Sequence, residues 1–309
     1  NSAGVDTSDH EVNIKILLGL AQDDGELTDK QRNALLPTLT DEVAALVLRD
    51  NYFQTQVLSL TLRQGAPLVE AQARFIHYLE KRGRLNRAIE YLPDDDEIAQ
   101  RKARGLGLTS PELSVLLAYS KMWLNDELID SDLPEDPWVA AALARYFPAG
   151  LRERFDAYIP RHPLKREIVV THVLNSMVNR VGLTFVHRQS ERTGLPPSKV
   201  VRAYLVAREV FGHVALWPRT EALDNRVADA VQAQMLYEMD ELTTRATAWL
   251  LRSRRLAEPL PAQFAYYGPA VAALEPTLVA EAAGSALAQG WTAAGVPAER
   301  ELEVDGDDI

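Results

Sequence analysis

Apolar residues recur every three or four positions along most of this 309-residue chain, and few stretches alternate apolar with polar residues. That spacing places apolar side chains on one face of an α-helix, whereas a strand needs a period of two. The pattern therefore predicts an all-α fold of many helices. Capping residues, prolines and glycines predict helices over 28–36, 40–65 and 67–83, with further helices beginning near 94 and 109.

The second half of the chain predicts longer helices. One runs from 164 to about 192, one from 196 to about 217, and one begins at Pro218 and ends among arginines that suit the negative end of a helix dipole. Prolines then punctuate an alanine-rich stretch. The acidic end EVDGDDI predicts a solvated or disordered tail from about residue 296.

The first helix is predicted from a capping pattern. Ser8 is followed three residues later by Glu11, which is the spacing of a capping box, so the helix is expected to begin near Ser8 and to end at Asp23–Gly25. Apolar residues lie on most faces of this helix, and an upstream domain would bury those that the rest of the chain leaves exposed. The alternative is that residues 1–7 are a frayed end and that Ser8 is only a cap.

Composition limits the classes of function. The net charge of -11 and the pI of about 5.1 oppose binding to a phosphate backbone, so no nucleic acid is expected as a partner. There is no cysteine, which excludes disulfides and thiolate sites. No apolar run has the length of a membrane span, no membrane association is expected, and a cytoplasmic location is the default.

Three short patterns suggest chemistry. His10 and Glu11 begin like a zinc-protease helix, but Ile14 holds the place of the second histidine, so no metal site is expected. Gly105 and Gly107 precede a helix and follow no strand, which favours a helix stop over a nucleotide-binding loop. A third pattern is a set of polar residues that share one helix face and form either a ligand site or, as we favour, a satisfied polar network: His172, Asn175 and Asn179.

Several longer blocks of the sequence are informative together: NSAGVDTSDHEVNIKILL, LRDNYFQTQVLSL, RLNRAIEYLPDDDEI, GLTSPELSVLLAYSK, HPLKREIVVTHVLNSMVNRVGLTF, RAYLVAREVFG and EALDN. They cover roughly residues 1–240, and they are similar to the large-subunit, NAD-specific bacterial glutamate dehydrogenases. The resemblance implies a C-terminal piece of such an enzyme. Residues 1–27 would be a short remnant of the α/β nucleotide-binding and catalytic domain, and residues 28–309 a helical C-terminal domain.

The resemblance also implies site residues. In this family a strand-end turn reading NAGGV lies against the nicotinamide side of NAD, and the matching cofactor-binding positions are Asn1, Ser2 and Gly4. Ser8 matches the serine that holds the side-chain carboxylate of glutamate. Ser2 and Ala3 depart from the family's alanine and first glycine, and Thr7 stands where cysteine is expected, so the backbone geometry of the turn can differ.

The family's catalytic lysine and acidic residue would lie upstream, so no residue of this chain is expected to be catalytic. The implied reaction is the NAD-dependent oxidative deamination of L-glutamate to 2-oxoglutarate and ammonia. The implied partners are glutamate or 2-oxoglutarate, the upstream catalytic domain and further copies of the protein in a homo-oligomer. The chain alone is expected to be inactive. The alternative is a non-catalytic helical module that binds a protein partner or an effector.

Overall fold

A computed structural model describes residues 3–283 and 285–297. Within these ranges the chain forms α-helices, short 3₁₀ helices and turns, and no strand is present, which confirms the all-α prediction. The contacts divide the chain into two compact units that meet in sequence between Arg188 and Gln189. The predicted acidic tail lies almost wholly outside the described residues.

The first unit contains the helices that precede this boundary and the first residues of the helix that crosses it. They are α1 (Ala3–Asp23), α2 (Asp29–Leu35), α3 (Thr40–Gln64), α4 (Ala66–Lys81), α5 (Asp95–Ala103), α6 (Ser110–Ile129), α7 (Pro137–Ala140), α8 (Ala142–Tyr146), α9 (Ala149–Phe155), α10 (Lys165–Val181) and α11 (Phe185–Thr193). The central helix is α10, which packs against α3, α6 and α8.

Local caps set several helix starts where the sequence predicts them. Thr28 forms a capping box with Gln31 at the start of α2, and Asp94 accepts from the backbone amide of Glu97 at the start of α5. At α6, the amide of Thr109 donates to the carboxylate of Glu112 at 2.7 Å. These bonds satisfy amides that a helix start otherwise leaves without partners.

The predicted start at Ser8 is wrong. The helix α1 begins at Ala3, so Ser8 and Glu11 are interior residues and form no capping box. Asp6 in the first turn complements the positive end of the helix dipole, and Glu11 instead pairs with Lys15 one turn later. The helix therefore already includes Gly4, and Asn1 and Ser2 lie outside the described residues.

The long helix predicted over 164–192 is also wrong, because Gly182 ends α10 with a left-handed φ of 86°. After the break, α11 places His187 in a buried aromatic cluster with Phe75, Tyr78 and Trp123. The His187 ring lies 5.0 Å from Phe75 and 4.8 Å from Tyr78, and Phe75 lies 5.3 Å from Trp123, each measured between ring centroids. This cluster ties α4, α6 and α11 together.

The second unit consists of the end of α11 and the helices that follow it: α12 (Pro197–Val210), α13 (His213–Glu221), α14 (Asp229–Leu250), α15 (Leu260–Ala283) and α16 (Ala286–Ala293). Two predicted bounds are wrong here. Gly212 and Asn225 adopt left-handed φ values of 66° and 61°, so they separate α12 from α13 and α13 from α14. As a result Pro218 lies inside α13 and does not begin a helix.

A buried histidine lies in the core of the second unit. His213 has no exposed surface, its ring stands 5.5 Å from that of Trp217, and its Nδ1 atom is 2.8 Å from the hydroxyl of Thr243 on α14. Burial lowers the pKa of His213 to about 4, because the charged imidazolium would lose its hydration. The histidine is therefore neutral at physiological pH.

No single helix among the described residues is both long and apolar enough to cross a membrane. The segments Leu260–Ala282 and Ala286–Ala293 reach that length and composition only together, across a bend of 75°.

Gly105 and Gly107 have different roles. Gly105 has a φ of 70° and follows the end of α5, which is the helix stop expected from the sequence. Gly107 instead lies against the backbone of Gly65, where a Cβ atom would come within 2.8 Å of the Gly65 carbonyl carbon. Backbone contact, and not a helix stop, therefore requires glycine at position 107.

We expect Gly107→Ala to destabilise the first unit by about 1–3 kcal/mol, because the new methyl group would force the two backbone segments apart. Gly19→Ala is the matched control, since a Cβ atom at Gly19 in α1 meets nothing within 4 Å. The control should be neutral or slightly stabilising, because alanine favours helix over glycine. Urea unfolding of both variants measures the difference, and equal midpoints would contradict the close contact.

The buried His213 predicts an acid-sensitive second unit. The pKa of His213 is lowered to about 4 in the folded chain. Between pH 4 and the pKa of this side chain in the unfolded chain, only the unfolded chain therefore binds the proton. Stability is thus fully present above the unfolded pKa and is lost as the pH falls. From pH 7 to 5 this group should remove about 2 kcal/mol of the free energy of unfolding. Urea unfolding followed by tryptophan fluorescence should show a smaller pH effect in His213→Gln than in the unchanged chain.

Candidate functional site

The two described residues that the resemblance assigns to a site both lie at the beginning of α1. Gly4 and Ser8 are exposed, and a Cβ atom at Gly4 would meet nothing within 4 Å. Ser8 is the sixth residue of the helix, so its amide belongs to the i→i−4 ladder. Only its hydroxyl is therefore available to a ligand.

The outer face of α1 carries apolar residues on both sides of Ser8. Val5 is 72% exposed and Val12 is 50% exposed, and their spacing of three and four residues from Ser8 places all three on one face. The opposite face is buried in the first unit by a set of residues at helical spacing: His10, Asn13, Ile14, Leu17, Leu18 and Ala21. The helix thus presents one face to the unit and leaves the Ser8 face uncovered by the described residues.

A polar clamp holds the first half of α1 against α8. The Tyr146 hydroxyl donates to Asp9 Oδ2 at 2.6 Å and accepts from Asn13 Nδ2 at 2.9 Å, and the same Asn13 amide donates to Asp9 Oδ1 at 3.1 Å. The His10 ring stacks on Tyr146 at 4.4 Å between centroids. Burial and the neighbouring Asp9 raise the pKa of Tyr146, so the phenol stays protonated and remains a donor.

His162 fixes the middle of α1. The backbone amide of Leu164 donates to its Nδ1 atom at 3.1 Å, so the proton of the neutral ring is on Nε2. That Nε2 atom lies 3.1 Å from the backbone oxygen of Asn13, to which it donates. Burial lowers the pKa of His162, which keeps the ring neutral in this role.

A second polar group joins α6 and α10. Lys121 Nζ donates to Asn175 Oδ1 at 2.8 Å. Burial lowers the pKa of Lys121 to about 8, although the charges of Asp50 and Asp6 favour its ammonium form. Burial also raises the pKa of Asp50. The structure therefore places Asn175, one of the three polar residues found in the sequence, beside a lysine that the sequence analysis did not select.

Asn179 belongs to a different environment from Asn175. It is only 1% exposed, and neither of its side-chain polar atoms has a hydrogen-bond partner. His172 is partly exposed. The expectation of a fully satisfied polar network along this face is thus wrong at Asn179.

Lys121 and Tyr146 are not among the site residues predicted from the sequence. A signal existed for Lys121, because it lies four residues after Leu117 and three before Leu124, both of which are buried, so a charged residue interrupts the inner face of a helix. No comparable signal existed for Tyr146, because its partners lie more than 130 positions away. In the described part of the chain no group of three or more His, Asp or Glu side chains could hold a metal ion.

Two family models match the chain. The family described as "Glutamate dehydrogenase, C-terminal" matches residues 105–303, and "Bacterial NAD-glutamate dehydrogenase, catalytic domain" matches residues 1–61. The chain belongs to the bacterial NAD-specific glutamate dehydrogenase family. The helix with Gly4 and Ser8 therefore lies in the part that matches the catalytic domain.

Three similar proteins come from different bacteria. The chain is similar to proteins named NAD-specific glutamate dehydrogenase from Pseudomonas aeruginosa (47% identical over 89% of this chain), Halomonas elongata (45% over 82%) and Mycobacterium tuberculosis (39% over 90%). It spans only 17%, 16% and 17% of their respective lengths. The catalytic-domain match extends through most of α3, and the boundary at residue 27 stays a prediction.

We expect Tyr146→Phe to lower the free energy of unfolding of the first unit by about 1–3 kcal/mol, because buried Asn13 loses a partner. Phenylalanine keeps the ring that stacks on His10, so the change isolates the hydroxyl. Tyr91→Phe is the control, since Tyr91 is 89% exposed, and it should change stability by less than about 0.5 kcal/mol. Equal urea midpoints for the two variants would contradict the clamp.

Proposed function

We propose that this chain is the C-terminal part of an NAD-dependent glutamate dehydrogenase, and that α1 forms one wall of its active site. Asn1, Ser2 and Gly4 would lie against the nicotinamide side of NAD, and the Ser8 hydroxyl would donate to the side-chain carboxylate of glutamate. The observation that carries the proposal is the uncovered face of α1, with Ser8 between two exposed valines, in the segment that matches the catalytic domain.

The proposed reaction converts L-glutamate, NAD⁺ and water to 2-oxoglutarate, ammonium, NADH and a proton. A hydride passes from Cα of glutamate to NAD⁺, and water hydrolyses the resulting imine. The groups that transfer protons would lie upstream of Asn1, so this chain contributes binding and positioning. Gly4 leaves space for close approach of the cofactor, and the clamp and His162 hold the helix at a fixed position.

The remaining helices would support that wall and provide contacts between subunits. Exposed leucines and a valine on α15 supply apolar surface that would suit a homo-oligomer: Leu274, Leu278 and Val279. The alternative function, a helical module without a catalytic partner, predicts no glycine-rich nucleotide loop and no lysine-bearing substrate motif in the reading frame upstream of Asn1. The catalytic-domain match over residues 1–61 favours the enzyme.

We expect Ser8→Ala in the full-length enzyme to raise KM for glutamate at least about tenfold, because the carboxylate loses a donor. KM for NAD should change little. Ser114→Ala is the matched control, since Ser114 is an exposed helical serine that bonds only to its own helix backbone at Ser110. Steady-state formation of NADH measures both constants.

Two results would contradict this assignment. One is a Ser8→Ala enzyme whose KM for glutamate equals that of Ser114→Ala. The other is formation of NADH by the isolated chain of residues 1–309, which we expect to be inactive because it lacks the groups that transfer protons.

A further inference from the structure

A cavity of about 550 Å³ lies beside α6 and α10 in the first unit. Its polar lining comes from three places: α6, α10 and the turn after α4. Its charged and amide side chains include Arg84, Lys121, Asp126 and Asn175. A volume of this size suits a small organic molecule.

The charges in this lining do not balance. Arg84 pairs with Asp126 across the cavity lining, so these two charges offset each other. Lys121 has a neutral partner, the Asn175 carboxamide at 2.8 Å, and it forms no ion pair with any of the described residues. The lining therefore carries one ammonium group without an adjacent anion.

Burial raises the free energy of the charged form of Lys121. The pKa of Lys121 falls to about 8, and the more distant charges of Asp50 on α3 and Asp6 on α1 offset only part of the loss of hydration. An anion in the cavity would supply the missing partner. At pH 7 the side chain is still mainly protonated and able to bind one.

The neighbouring groups select the kind of anion. Asn175 uses its oxygen to accept from Lys121, so its NH₂ group is a donor beside the ammonium, and two adjacent donors match the two oxygens of a carboxylate. Met122 and Leu174 line the same cavity and would contact an apolar body. A fully polar anion such as phosphate would leave these apolar side chains without a partner.

We propose that this cavity binds a small organic carboxylate, whose carboxylate group contacts Lys121 and Asn175 and whose apolar body contacts Met122 and Leu174. The cavity lining includes no residue of α1, which carries the proposed glutamate site. It lies largely in the segment that matches the C-terminal family and not in the catalytic-domain match.

Calorimetric titration of the full-length protein with butyrate and with benzoate at pH 7 and low salt tests the proposal, with inorganic phosphate as a third probe. We expect saturable binding of at least one carboxylate, weakened at least tenfold by Lys121→Met. Asn175→Asp should have the same effect, because the new carboxylate would pair with Lys121 and repel the ligand. Lys30→Met, which changes an exposed lysine on α2, should leave binding unchanged.

Ser8→Ala separates this proposal from the proposed function. Carboxylate binding that survives Ser8→Ala but not Lys121→Met would support a second site, whatever happens to the activity. The proposal is overturned by the absence of saturable binding of both carboxylates, by binding of phosphate alone, by loss of binding in Ser8→Ala, or by equal affinity in Lys121→Met and Lys30→Met. Circular dichroism of each variant confirms that the helices are retained.

Discussion

The position of α1 depends on hydrogen bonds to residues far along the chain. The C-terminal half of α1 is held by burial of Ile14, Leu17 and Leu18. Apolar contacts alone do not fix the rotation of a helix about its axis or its position along that axis. The hydrogen bonds from Tyr146 and His162 do so, because each requires a particular donor and acceptor at close to 3 Å. The position of any ligand contact made by Ser8 therefore depends on these two side chains.

The sequence predicts helix starts well where the cap is local. The helix starts predicted near residues 28, 94 and 109 are confirmed, and Thr28, Asp94 and Thr109 cap them, because each cap and its partner are three residues apart and no distant contact competes. The same rule is wrong at Ser8, because the helix is continuous through this residue and Glu11 pairs with Lys15 instead of with the amide of Ser8. A capping pattern is therefore reliable only when the residues before it cannot themselves continue the helix.

Helix ends inside long apolar segments are harder to predict. The breaks at Gly182 and Gly212 use left-handed backbone, which glycine permits but does not require, so packing decides whether the helix stops. The site shows the same limit. Gly4 and Ser8 could be selected because the family resemblance is local, whereas the partners of Asn13 and Lys121 depend on contacts between helices that are distant in sequence.

The contacts made by Tyr146 and His162 have a consequence for biosynthesis. Asp9 and Tyr146 are 137 positions apart, and Asn13 and His162 are 149 apart. A ribosome adds residues in order, so α1 leaves the exit tunnel well before the side chains that hold it exist. If α1 completes the active site as proposed, a nascent enzyme stays incompetent until this region has emerged, and premature termination within it would release an inactive product.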